Sequence, residues 1–257
     1  MSARIRNAAV SVAGSAFVLA VWFVATDLTN TIDDLVFPGP VSVYENLNQF
    51  QSIVISNMLP TLQSAAVGFL IAVIAAILVA IGLLYDTNIK EGLMPILVGT
   101  NSVPRVTLAP LIIFYIGGTP ARYIIAAWVA FFPIFLSVVD GLEQIEEDEK
   151  NLLRSLNTTY LQELRYFRLP NALPLIFDGL KAGIVFATVG AVVGEFVGAG
   201  SGSGIGYLAL AALQASNLSL AFSIVGVMGI ISALAFFALL VAQDRIIHWQ
   251  ETSIFPE

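Results

Sequence analysis

The chain has no cysteine among its 257 residues, so neither a disulfide framework nor a thiolate metal site is open to it. Histidine is almost as scarce. His248, beside Trp249 near the C-terminus, is the one copy, too few for a histidine metal centre or a catalytic triad, and the pair suits a membrane–water interface. Charge is thin as well, at 11% of residues, and 18 acids against 11 Lys and Arg leave no basic footprint for nucleic acid. There is no G-x-x-x-x-G-K-[ST] loop to cradle ATP. The glycine-rich stretch 198–206 does not satisfy G-x-G-x-x-G, and its serines miss the G-x-S-x-G spacing of a nucleophile elbow. The expectation is a chain that binds no cofactor or metal and performs no covalent chemistry.

What is abundant is apolar surface: 58% of residues are hydrophobic and the mean hydropathy is +0.87, the composition of an integral membrane protein. Uncharged runs cover 7–26, 62–84, 106–121, 123–139, 182–194 and 221–242. Each approaches the roughly 20 residues that cross hydrocarbon once the third is extended back through 93–103 and the fifth forward past Glu195. The prediction is an all-α polytopic protein with six transmembrane helices.

Lys and Arg gather on cytoplasmic loops, and a cytosolic N-terminus puts Arg4, Arg6, Lys90, Lys150, Arg154, Arg165, Arg168, Lys181 and Arg245 at cytosolic ends, with only Arg122 outside. Both termini are then cytosolic. The exported segment 27–60 has no Lys or Arg but carries Asp27, Asp33, Asp34 and Glu45. Its Phe37-Pro38-Gly39-Pro40 is a turn signal, and 41–50 reads as a short helix near the outer face. Arg4 and Arg6 ahead of an apolar run also match a secretory signal. The run exceeds the usual core of about 7–15 residues and no A-x-A site closes it, so it reads as a retained span.

Within the spans, Asn101-Ser102-Val103-Pro104-Arg105 interrupts the third, and a helix broken at membrane depth lines a cavity. Pro133 predicts a kink in the fourth. Gly190, Gly194, Gly198, Gly202 and Gly206 recur at every fourth residue, a row suited to close helix packing that runs into a loop before Tyr207. Two charges lie in or beside spans. Arg105 either snorkels to the interface or faces a pathway, and Glu195 either pairs with a donor or meets a solute. The candidate pathway set is Asn101, Ser102, Arg105, Glu195, Ser201 and Ser203.

A charged island at 143–174, EQIEEDEKNLLRSLNTTYLQELRYFRLPNALP, separates two spans and is far longer than a connector needs to be. Leu152, Leu153 and Leu156 share one face of a short helix there. The spacing from Asn157 to Phe167 to Leu169-Pro170 resembles the cytoplasmic signature of bacterial and archaeal ABC importer permeases: EAA, three residues, G, nine residues, I, one residue, LP. Over 37–249 the chain resembles the nitrate, sulfonate and taurine type of that family, a MetI-like architecture. The resemblance also rests on Phe37-Pro38-Gly39-Pro40, Val103-Pro104-Arg105, Phe131-Phe132-Pro133-Ile134 and Gly194-Glu195-Phe196-Val197-Gly198. Asn151-Leu152-Leu153 replaces the family's EAA and Asn157 its glycine. Asparagine tolerates the left-handed backbone that such a turn needs.

The resemblance implies one transmembrane domain over 1–257, with a core at 60–245 and a coupling loop at 141–174. Residues 151–157 form a coupling helix, with Arg154 and Ser155 on it, seated in a groove of a separate ATPase. Leu169-Pro170 and Pro174 end the second cytosolic helix. The partners implied are two ATPases that carry ATP and Mg, an external substrate-binding protein and a second permease copy, in a cell membrane. The solute implied is a nitrate-, sulfonate- or taurine-like anion or a vitamin precursor. The alternative, a gradient-driven secondary transporter, typically carries paired intramembrane acids or inverted repeats, and this chain has one deep acid and no detected repeat.

Overall fold

In hydrocarbon a backbone has only itself to hydrogen-bond with, so long uncharged runs fold as helix. In a computed structural model, which describes residues 3–29, 36–145, 147–198 and 202–247, no strand occurs among those residues. Helix α1 (Ala3–Phe23) continues through a π-helical turn, Val24–Leu28, and is followed by α2 (Pro40–Gln49), α3 (Gln51–Leu84), α4 (Thr87–Asn101), α5 (Arg105–Ile116) and α6 (Gly118–Glu143). Two short helices come next, α7 (Glu147–Ser155) and α8 (Tyr160–Glu163), and then α9 (Leu169–Phe196), α10 (Ile205–Gln214) and α11 (Leu218–Ile246).

Four helical paths are long and apolar enough to cross a membrane: Gln51–Leu84, Gly118–Glu143, Tyr160–Phe196 and Leu218–Ile246. The predicted third span makes a fifth only as a bent pair, Asn88–Asn101 and Val106–Ile116, turned by 96°. Pro104 accounts for the break, because the residue before a proline is driven from helical torsions, and α4 stops at Asn101. The count of six is therefore not reached among the described residues. In the predicted first span the apolar stretch Ala13–Leu28 falls short of the required length.

Lipid tails are as apolar as leucine, so close backbone contact takes the place of hydrophobic burial between spans. α6 sits in the middle: 61% of its apolar window is buried, against 28% for α3 and 11% for α11. Its faces meet small residues of both neighbours. Gly68 of α3 lies against Ala126 and Ala127, while Gly179, Gly183 and Gly190 of α9 face Ser137, Ile134 and Ala126. Ile134, Phe135, Val138 and Leu142 fill the remaining space. A Cβ at position 190 would stand 2.7 Å from the Ala126 Cα and 3.0 Å from the Ile125 carbonyl oxygen, both immovable backbone. Gly190→Val is thus expected to destabilise the fold by about 1–3 kcal/mol, read as a lower denaturation midpoint in detergent. Gly226→Val, where an added atom meets nothing within 4 Å, is the control.

Contacts fasten neighbouring elements at both ends of the bundle. At the end that carries the charged island, Lys90 pairs with Glu143 and the Tyr160 hydroxyl donates to the Ile81 carbonyl at 3.1 Å. At the opposite end, α2 occupies the predicted 41–50 helix and hangs on α11. The Ser223 hydroxyl donates to the Val43 carbonyl at 2.7 Å, and Phe37 stands edge-on to Phe222 at 5.2 Å.

Candidate functional site

The charged island folds as two short helices joined by one tight turn. Asn157 makes that turn with φ of +50, the left-handed backbone in which asparagine substitutes for glycine. The Asn157 and Thr158 N–H groups donate back to the Arg154 and Leu153 carbonyls at 3.1 and 3.4 Å. Thr159 and Gln162 then close a capping box that starts α8. Leu152 and Leu156, one turn apart, are exposed at 58% and 64%. Asn151, Arg154 and Ser155 are exposed beside them, with the Ser155 hydroxyl donating to the Leu152 carbonyl at 2.7 Å.

Leu153 does not join that face. It turns inward to line a cavity of about 520 Å³ with Lys150, Arg154, Asn157, Thr158, Glu163 and Arg168. The predicted three-leucine face is a pair because Leu153, about 100° around the helix from Leu152, points to the cavity it shares with Glu163 and Arg168 instead of outward. Leu169-Pro170 also differs from its predicted role as a helix end. The chain from Tyr160 to Phe196 is one helical path, widened by a π-helical turn over Leu164–Arg168. The Leu169 N–H bonds the Leu164 carbonyl across that turn. Pro170 then falls in the first turn of α9, where a missing N–H is tolerated. Phe167 is half-buried within the wide turn. Arg168 pairs with Glu163 and donates to the Leu142 carbonyl at 3.3 Å, fastening the island to α6.

A second polar cluster lies at the opposite end of the bundle. Glu195 is in the last turn of α9, and its side chain is 0% exposed. Its Oε2 accepts from the Thr61 hydroxyl of α3 and from the Gly206 N–H of α10, each at 2.8 Å. The Arg122 guanidinium of α6, 4% exposed, lies 3.7 Å from Oε1 and donates to the Ser203 carbonyl and the Thr119 hydroxyl, both at 3.2 Å. Thr61 Oγ1 also accepts from the Ile205 N–H, and Asn57 Oδ1 from the Gly204 N–H, both at 2.9 Å. Four elements thus converge on one buried carboxylate. There is no room for a side chain at position 204, since a Cβ there would overlap the Glu195 carboxylate.

The described members of the candidate pathway set fall in two places. Asn101 closes α4 beside Ser102 and lines a cavity of about 220 Å³ with Leu97, Thr100, Trp128, Phe131 and Phe132. Glu195 and Ser203 belong to the buried cluster instead. Ser201 and His248 lie outside the described residues, as do the side chains of Arg4, Arg6 and Arg105. The glycine row is likewise divided. Gly190 and Gly194 lie on α9 against α6, but the helix ends at Phe196, and Gly198 and Gly202 have φ of +92 and +71 in the turn beyond it. Gly206 lies in α10, which begins at Ile205, two residues inside the loop expected before Tyr207. Arg122, Thr61 and Asn57 were missed as site residues. Arg122 is the lone cation on the side assigned outside, and Glu195 the lone deep acid. Their complementarity was the available signal, hidden by a separation of 73 residues.

Residues 68–254 match the family described as binding-protein-dependent transport system inner membrane component. A probable ABC transporter permease protein of Haemophilus influenzae is 28% identical over 90% of this chain and 91% of its own length. A putative aliphatic sulfonates transport permease protein of Bacillus subtilis is 25% identical over 92% of this chain and 86% of its own. Among solved structures, the MetNI methionine ABC transporter in an inward-facing conformation contains a chain of the same fold, with a TM-score of 0.63 at 17% identity. The match covers 78% of this chain and 97% of that one. A helical membrane bundle with a charged helical island between two spans fits this company. The chain belongs to the binding-protein-dependent transport system inner membrane components and is a permease subunit of an ABC importer.

Proposed function

We propose that the charged island is the cytosolic docking loop for a separate ATPase, with residues 151–157 seated in a groove of that subunit. The observation that carries this reading is the Leu152 and Leu156 pair, exposed one turn apart on α7 and its C-terminal turn, in a loop whose following segment is fastened to the bundle by Tyr160 and Arg168. A short amphipathic helix held this way suits helix-in-groove recognition, with leucines one turn apart as anchors. ATP and Mg reside on the ATPase, and this chain supplies the path. Both termini are cytosolic, and the Glu195 end faces the external binding protein.

Two permease copies and two ATPases make the assembly. An open apolar groove of about 630 Å³ on α9, α10 and α11, bordered by Val189, Phe196, Val225, Met228 and Phe237, supports a second copy as its occupant. The break between α4 and α5, with Asn101 and Ser102, borders the solute path, because irregular backbone at membrane depth is stable where it lines a cavity. The solute is a small anion of the nitrate, sulfonate or taurine kind, or a vitamin precursor. The resemblance to carriers of such solutes supports that class. A family defined by binding-protein-dependent transport sets aside the gradient-driven alternative.

The test is purification of the tagged chain in mild detergent after expression with its own gene cluster. The expected result is an ATPase subunit at about one per permease by mass spectrometry. A homogeneous oligomer that carries no ATPase would sink the docking assignment.

A further inference from the structure

The α3–α6–α9 unit is held by backbone-close glycine and alanine contacts along its length and by side-chain bonds at each end. α9 alone has 28 residues and so runs about 42 Å between the two polar clusters. α10 has only 10 residues, too few to span a membrane, and its start is gripped by three side chains from three helices. Thr61 of α3 takes the Ile205 N–H and Glu195 of α9 takes the Gly206 N–H, while Arg122 of α6 takes the carbonyl of Ser203 just before it. These are bonds to backbone in the first turn of α10 or just ahead of it, so they fix its start whatever side chains it carries.

We propose that Arg122, Glu195 and Thr61 are positioning residues that lock α10 to the far end of the α3–α6–α9 unit. A displacement imposed on the charged island then reaches α10 as a rigid-body motion. The inference rests on the ATPase-docking reading of that island and goes beyond it by naming what receives the motion at the other end. Buried charges placed between four elements hold one arrangement, since sliding any element strands a charge in a low-dielectric interior.

The chain contains no cysteine, so spin labels can be introduced without removing any residue first. Labels at Leu161→Cys on α8 and Gln214→Cys at the end of α10, both exposed positions, report the island-to-α10 distance in the assembled complex. Labelled chain is diluted with unlabelled chain so that only distances within one subunit are read. The expected result for the otherwise unchanged chain is one narrow distribution, the same without nucleotide and with MgATP plus vanadate. Glu195→Gln, Arg122→Met and Thr61→Val should keep the nucleotide-free distance but broaden roughly twofold when vanadate-trapped. A role in stability alone would affect both states alike.

Thr61→Val removes only a hydroxyl and keeps the question open to test if the charge variants fail to assemble. The inference is overturned if the distance in the unchanged chain itself shifts on trapping, or if all variants that assemble stay narrow in both states. A complex that retains no ATPase and responds to nucleotide in no background overturns the docking reading and this inference together, an outcome distinct from a responding complex whose variants stay narrow.

Discussion

Leu156→Asp permease should insert and fold normally yet lose its ATPase on purification. Leu156 is exposed at 64% and Leu152 at 58%, so neither supports the fold, and an aspartate at either position leaves the bundle unchanged. In a groove the same side chain is an anchor. Truncating an anchor typically costs about 2–4 kcal/mol, and a buried carboxylate adds its desolvation. Leu153→Asp separates docking from folding. Leu153 faces the cavity between α7 and α8, and a charge there disturbs the island itself. Retention of stoichiometric ATPase by both Leu152→Asp and Leu156→Asp would remove the island from the docking role.

The other large effect lies in the Arg122–Glu195 pair and takes a non-additive form. Glu195→Leu strands a guanidinium that is 4% exposed, and Arg122→Met strands a carboxylate with no exposure at all. Either single change is expected to lower stability by about 3–5 kcal/mol, the range for an uncompensated buried charge. The pair is imperfect, because Arg122 Nε and Glu195 Oε1 are both buried without a hydrogen-bond partner and the closest approach is 3.7 Å. Its net contribution over an apolar pair is therefore small. The double variant Arg122→Met with Glu195→Leu should recover most of what either single variant loses. Denaturation midpoints of the four chains in one detergent measure this cycle. Additive losses would mean that the two residues act separately.

The boundaries of several elements were legible because they depend on local chemistry. The uncharged runs at 62–84, 123–139, 182–194 and 221–242 each lie inside a helix long enough to span. Asn157 was readable as a left-handed turn because asparagine tolerates that backbone and the residues around it are polar. α10 was not readable. Its ten residues lie between a glycine run and Ser216, too short for a hydropathy signal.

By itself the sequence determined that this chain lives in a membrane, that it is helical and that a charged island interrupts its spans. Each of these follows from composition or from neighbours within a few turns, where transfer energy and backbone preference act locally. Only the tertiary structure decided that Leu153 faces inward, that Leu169-Pro170 opens a helix instead of closing one, and that Glu195 is claimed by Arg122, Thr61 and Gly206. Those outcomes depend on which surfaces meet across tens to hundreds of residues. A lone charge in a run of glycines reads equally well as a pathway residue or as half of a pair until its partner is brought within reach.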